Sequence, residues 1–300
     1  MARAGEKFVN QDYGFGDMMR EIQDLKAKNP FVGVFQYGQS VFGRPLVALC
    51  CGRGQRRMHV NASCHANEWI TSALLMRFMT ELSGAYAAGE RLGGEDAGAL
   101  LDTVTLWAAP MVNPDGVELV QGRFDHSHPH YRTLMEWNGG LEDFSGWKAN
   151  IRGVDLNDQF PAFWEEECKR RAVVSPGPRD YPGAHPLCEP EASALAELTD
   201  RLGFHAVVAL HTQGREIYWN YRDFEPPHAE TLAARLGAAS GYAPVKLSGS
   251  DAGYKDWFIH RYRRPGFTVE AGYGENPLPA SAFDSIYGEL RPLLLESLKL

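Results

Sequence analysis

Several things are missing from this chain, and each absence removes a class of protein. The basic start is followed by QDYGFGD with no apolar stretch behind it, so no secretory leader is recognised in the first thirty residues. No apolar run is long enough to cross a bilayer, which needs roughly 18 residues, so the chain as given is expected to be soluble. Cysteine is scarce: the five (Cys50, Cys51, Cys64, Cys168, Cys188) are odd in number and irregularly spaced. That argues against a disulfide framework and leans toward a reducing compartment. Cys64 is expected as a buried thiol, because adjacent residues of a strand point to opposite faces and His65 takes the other one. A positive charge excess is also lacking. The net charge of −8 argues against nucleic acid or an anionic membrane as the main partner, and short basic runs such as Arg261, Arg263 and Arg264 are expected to be solvated faces.

What remains is an ordinary globular composition, 44% apolar and 23% charged over 300 residues, enough to bury a large core. Apolar residues at helical spacing (Phe15, Met18, Ile22, Leu25) predict a helix over 15–25 that Asn29-Pro30 stops. Strands are predicted at 31–36, 45–51, 58–65, 103–111, 206–210 and 266–270, with a further one at 216–220. Helices are predicted after 67, over 190–202, 228–240 and 254–262, and from 281 with an interruption at Pro292. Asn113-Pro114-Asp115-Gly116 predicts a tight turn. Strands alternating with helices, without repeats or low-complexity tracts, imply an α/β fold in one domain over 1–300, with a helical lead-in over 1–30. The expected sheet is mixed, mostly parallel and twisted, with helices on both faces. The stretch 122–150 has no sustained period, and its His126, His128 and His130 are expected in a solvated loop rather than a second metal site, since no carboxylate or cysteine completes a usual ligand spacing.

Three polar residues fall where apolar strands end: His65, His211 and Glu270. His65 and Glu68 are three apart, so on one helical turn they share a face and can reach one ion. Alone that pair means little, since chance gives roughly one His-x-x-Glu in a chain with this many histidines. With His211 it supplies the three protein ligands of a catalytic zinc site, with a position left for water. Glu270 is the expected general acid/base, Arg152 the cation that polarises the scissile carbonyl, and Asp155 the acceptor for the second ring proton of a ligand histidine. Each has a plainer alternative, a structural histidine or a surface ion pair. Together they are harder to dismiss.

HANE, NPDG (113–116), RGVDLN (152–157), HTQG (from His211) and FTVE (ending at Glu270), in that order, resemble the zinc carboxypeptidase (carboxypeptidase A-like) superfamily over residues 58–271. The resemblance implies one Zn2+ per chain on His65, Glu68 and His211, Glu270 as general acid/base, Arg152 as the carbonyl-polarising arginine and Asp155 as the partner of the first histidine. Exopeptidases of the superfamily follow Asp-x-Asn with an arginine that binds the substrate's terminal carboxylate, whereas this chain has Asp158 there. A carboxylate would repel that substrate group. A serine, Ser248, aligns near the place of the usual pocket tyrosine, with Tyr254 close by, and Lys255 stands where relatives hold a specificity residue.

HANEWITS, WKANIRGVDLNDQFPAFW, PGPRDYPG, HTQGREIYW, AGYKDWFI and GFTVEAGYGENPLP are similar to the bacterial γ-D-glutamyl-L-diamino acid endopeptidase I group. That resemblance implies hydrolysis of the γ-D-glutamyl to meso-diaminopimelate (or L-Lys) bond of peptidoglycan stem peptides, with Asn157, Asp158, Ser248, Tyr254 and Lys255 as substrate-binding positions. An anion and a cation in the leaving-group pocket suit a residue whose side chain carries both an amine and a carboxylate. The alternatives are a metallocarboxypeptidase or zinc deacylase of altered specificity, and a module that binds muropeptides without cutting them. Members of the group often carry LysM repeats, and none is found in this chain. A cytoplasmic location is expected, with a wall-associated or secreted one as the alternative.

Overall fold

Eight strands form one mixed sheet in the computed structural model, which describes residues 13–300; the first part of the expected lead-in, residues 1–12, lies outside the described residues. In chain order the helix α1 (Phe15–Lys28) leads into β1 (Gly33–Gln39), β2 (Pro45–Gly52) and β3 (Arg56–Ala62), then α2 (Ile70–Ala88). A small hairpin, β4 (Arg91–Leu92) with β5 (Glu95–Asp96), precedes α3 (Ala97–Thr103) and β6 (Val104–Ala109). Short helices follow, α4 (Pro114–Val120), α5 (Tyr131–Trp137) and α6 (Trp164–Arg171), then α7 (Pro190–Leu202) and β7 (Ala206–His211). The chain ends through β8 (Glu216–Tyr218), α8 (Ala229–Ser240), β9 (Ala243–Val245), α9 (Tyr254–Tyr262), β10 (Gly266–Glu270) and α10 (Phe283–Ser297).

The strand order is β1-β2-β6-β3-β7-β10-β8-β9. The central run β6-β3-β7-β10 is parallel, and β2 and β8 join it antiparallel. All six residues of β7 are buried, as expected of a strand covered on both faces. Alternation assigns its side chains to opposite layers: Val208 and Leu210 join a core with α1, α2, α8 and α10, while Val207 and Ala209 join one with α7 and α9. The mixed sheet with helices on both faces agrees with the fold expected from sequence.

The elements differ from expectation in a few places, each for a local reason. NPDG is not a free turn but the start of α4, with Asn113 accepting the Gly116 N–H at 3.1 Å and Pro114 in the first turn. Gly116 is required there, because a Cβ would come within 2.8 Å of the Ala149 carbonyl oxygen. The stretch 122–150 contains α5, about two turns long, which fully buries only Tyr131 and Leu134 in a small cluster around Trp147, too few for a detectable period. His128 and His130 pack on the ring of Phe42, with centroids 5.1 and 5.2 Å away. Pro292 does not interrupt α10, which runs through it.

Candidate metal and catalytic site

Parallel strands bring their carboxyl ends to one edge, and the site is built there. β7 and β10 are adjacent and in register, so His211 and Glu270 face each other as paired residues. β3 ends one residue pair earlier, with Ala62 beside Leu210, and hands the chain to the turn that carries His65 and Glu68. That turn is tightly bound. Ser63, at φ +48°, donates its backbone N–H to Thr71 Oγ1 at 2.9 Å, and Thr71 in turn donates to the Glu68 carbonyl at 2.7 Å. Asn113 then ties the turn to the next loop, donating from Nδ2 to the carbonyls of Cys64 (3.2 Å) and Ala149 (3.0 Å).

The result is a convergence of ligand atoms on one point. His65 Nδ1 lies 2.9 Å from Glu68 Oε1, His211 Nδ1 lies 2.9 Å from Glu68 Oε2, and the two Nδ1 atoms are 3.0 Å apart. All three side chains are buried. Two imidazole nitrogens aimed at each other across a buried carboxylate suit a shared divalent cation better than any proton arrangement, and two nitrogens with a carboxylate are a donor set for zinc. The residues present therefore fit that ion. Behind them, His65 Nε2 is 3.2 Å from Asp155 Oδ1, the second-sphere contact that orients a ligand ring. Asp155 is also approached by Lys148 Nζ at 3.3 Å. Burial works against its charge, but Lys148 and His65 hold its carboxyl well below the usual range. Glu270 goes the other way: burial, reinforced by the charge of Glu68, pushes it up to about 8.

The remaining expected site residues do not join the group of His65, Glu68 and His211 itself. Arg152 stands on a tight turn with its side chain 54% exposed and 3.6 Å from Glu189 Oε2. The cation beside the histidines is instead Lys148, whose carbonyl accepts the N–H of Ala66, next to His65, at 3.0 Å. Burial opposes its charge, yet Asp155, Glu68 and Asp158 raise its pKa, so it is held as a cation. Sequence reasoning missed it, although WKAN stood inside a quoted motif. Asp158 is 2% exposed and its carboxylate is taken by Arg171, with Nε at 2.9 Å and Nη2 at 3.0 Å. Lys255 is also buried, bound to the Asn220 carbonyl at 2.8 Å and to Asp256. Neither therefore offers an open charge. Tyr254 turns its hydroxyl into the core, 2.9 Å from Thr199 Oγ1, while its N–H donates to Asn157 Oδ1 at 3.2 Å. Ser248 is exposed and lines a cavity of about 570 Å³ with Asn220, Arg222, Asp223, Lys246 and Asp251.

Comparison with known proteins agrees with this geometry. The zinc carboxypeptidase family matches residues 18–290. The γ-D-glutamyl-L-diamino acid endopeptidase 1 of Lysinibacillus sphaericus is 47% identical over 97% of this chain and 73% of its own length. The uncharacterized protein YqgT of Bacillus subtilis is 38% identical over 99% of this chain and 80% of its own. Among solved structures, bovine thrombin-activatable fibrinolysis inhibitor superposes with a TM-score of 0.75 at 21% identity, covering 96% of this chain and 97% of that one. The murein-tripeptide amidase MpaA of Escherichia coli O157 does so at 0.54 and 21% identity, covering 88% and 92%. These two likenesses establish the fold alone. With a family match across nearly its whole length and a His-Glu-His centre at the sheet edge where that family's motifs fall, the chain belongs to the zinc carboxypeptidase family.

Proposed function

We propose that this protein is a zinc peptidase that hydrolyses the γ-D-glutamyl to meso-diaminopimelate (or L-Lys) bond of peptidoglycan stem peptides. The observation that carries the reading is the 47% identity to an endopeptidase of that name over nearly the whole chain, joined to a site whose donor set fits zinc. One Zn2+ per chain, on His65, Glu68 and His211, would lower the pKa of a water and polarise the scissile carbonyl. Glu270, paired across the sheet with His211, takes the proton from the attacking water and returns it to the departing amine. Lys148, held as a cation with its Nζ 3.3 Å from Asp155, is the group assigned to the negative charge that develops on the carbonyl oxygen. Asp155 holds the His65 ring and anchors Lys148.

For the leaving group, the reading shifts from Asp158 and Lys255 to the cavity beside Ser248. Lys246 supplies an exposed cation there and Asp223 an exposed anion 3.3 Å from it, while Arg222 and Asp251 are paired with each other, and an open charge of each sign suits an amine and a carboxylate on one side chain. Ordinary C-terminal trimming has less support, because Asp158, itself paired with Arg171, stands where the family's exopeptidases hold their arginine.

The test is mass spectrometry of L-Ala-γ-D-Glu-meso-diaminopimelate after incubation with zinc-loaded protein, with a chelated control and an ordinary L-peptide in parallel. Release of free diaminopimelate that the chelator abolishes is the expected result. An intact stem peptide beside a trimmed L-peptide would replace this reading with that of a carboxypeptidase.

A further inference from the structure

A γ-glutamyl bond differs from an ordinary peptide bond in leaving the α-carboxylate of the acyl residue free. On the proposed reading that extra anion stands a short carbon chain away from the carbonyl that is attacked, beside a site already carrying Glu68, Asp155 and Glu270. Like charges repel, so the acyl side needs a cation of its own. Lys148 is already assigned to the carbonyl oxygen and is paired with Asp155.

Arg152 has the properties required. It lies in a turn closed by the Asn150 N–H to the Val154 carbonyl at 2.8 Å, and its own N–H donates to Asn150 Oδ1 at 2.9 Å. Asn150 is buried and held by Glu189 Oε2 at 2.7 Å, so the turn is fixed without the arginine side chain. Among the described residues the guanidinium has one ion-pair contact, to Glu189 at 3.6 Å, longer than a hydrogen bond. It lines a cavity of about 390 Å³ whose walls include Val41, Phe42, Leu134 and Trp137, with His130 at the rim. The cavity belongs to the catalytic edge of the sheet. β2 is antiparallel to β6, so the turn carrying Val41 and Phe42 stands beyond the carboxyl end of β6. Arg152 is also three residues before Asp155, which touches His65, and three residues span about 10 Å at most.

We infer that this cavity is an acyl-side subsite, in which Arg152 pairs with the free α-carboxylate of the γ-linked glutamate and the wall of Phe42 and Trp137 takes the residue attached to its amine. The inference rests on the proposed function. It gives Arg152 a binding role in place of the carbonyl-polarising role expected from sequence.

The experiment compares kcat and KM for L-Ala-γ-D-Glu-meso-diaminopimelate with those for the same peptide carrying a carboxamide in place of the glutamyl α-carboxylate. The native protein should prefer the carboxylate about tenfold in kcat/KM, through KM, in line with one charge-assisted pair. Arg152→Gln should bring that ratio close to one, and Arg152→Lys should restore part of it. A second readout needs no turnover: L-Ala-γ-D-Glu titrated calorimetrically into metal-free protein should bind about tenfold more weakly to Arg152→Gln. A native ratio near one, or a ratio and a product affinity untouched by the substitution, overturns the assignment. Cleavage of neither peptide by the native protein would instead sink the proposed function, and the subsite with it.

Discussion

Glu270 and Lys148 are the two single residues on which the proposed chemistry depends most directly. Glu270→Ala removes the group that moves the proton while leaving His65, Glu68 and His211 in place. Turnover of the stem peptide is expected to fall by at least about a thousandfold with the zinc content still one per chain by atomic absorption. Retained turnover with a full metal count would show that Glu270 is not the base. Lys148→Ala is expected to lower kcat by a factor of about a hundred to a thousand, the size of losing one oxyanion donor, with KM little changed. Lys148→Arg should recover part of that loss, and a substitution that raised KM alone would mark Lys148 as a binding residue. At this scale the sequence was informative for some side chains and not for others. His65, Glu68, His211 and Glu270 were legible because strand ends and a three-residue spacing place them. The separation of Lys148 from Arg152 was not, because it depends on a loop whose path is set by distant partners, the Pro178 carbonyl and the Asn113 amide among them.

At the scale of elements, the start of α7 shows how a buried carboxylate couples the loops to pH. Glu191 is fully buried. It accepts the Val41 N–H at 3.0 Å and so holds the turn that walls the acyl-side cavity. Burial first, then the nearby charges of Asp115 and Glu189, push its carboxyl up to about 7. Its folded pKa thus lies above the unfolded value, so its protonated form favours the native state. The associated stability is complete below about pH 4.5, is lost as pH rises toward 7, and amounts to on the order of 3 kcal/mol. Glu191→Gln keeps an acceptor for Val41 and cannot ionise. Urea unfolding from pH 4.5 to 7.5 should therefore decline less steeply in the variant, and identical slopes would reject the assignment. Long periodic elements such as α7, α9 and β7 were readable from sequence with nearly their observed limits. The short ones, α5 and the two-pair hairpin of β4 and β5, were not, since they owe their form to packing against Trp147 and α2 rather than to a repeating pattern.

For the molecule as a whole, the metal should act as a stabiliser as well as a catalyst. Binding to the native state alone raises stability by about 4 kcal/mol when free ion exceeds its dissociation constant a thousandfold. Calorimetric scans are expected to show the unfolding midpoint falling by several degrees on chelation and returning with zinc, and His211→Ala should abolish the difference. A midpoint insensitive to chelation in the native protein would exclude a tight site at this centre. The fold itself was legible because strands ending in polar residues alternated with helices. The recognition surfaces were not, because they combine loops far apart in the chain.

The in-register pairing of His211 with Glu270 has a consequence for how such a protein can be altered. Adjacent strands lie about 4.8 Å apart, so the spacing between the proposed metal ligand and the proposed base is a lattice constant of the sheet. The loops that surround it contribute nothing to that spacing. Transplanting the Ser248 loop from a relative should therefore redirect which peptide is admitted while leaving the cutting step intact, which makes this edge a chassis for designed hydrolases.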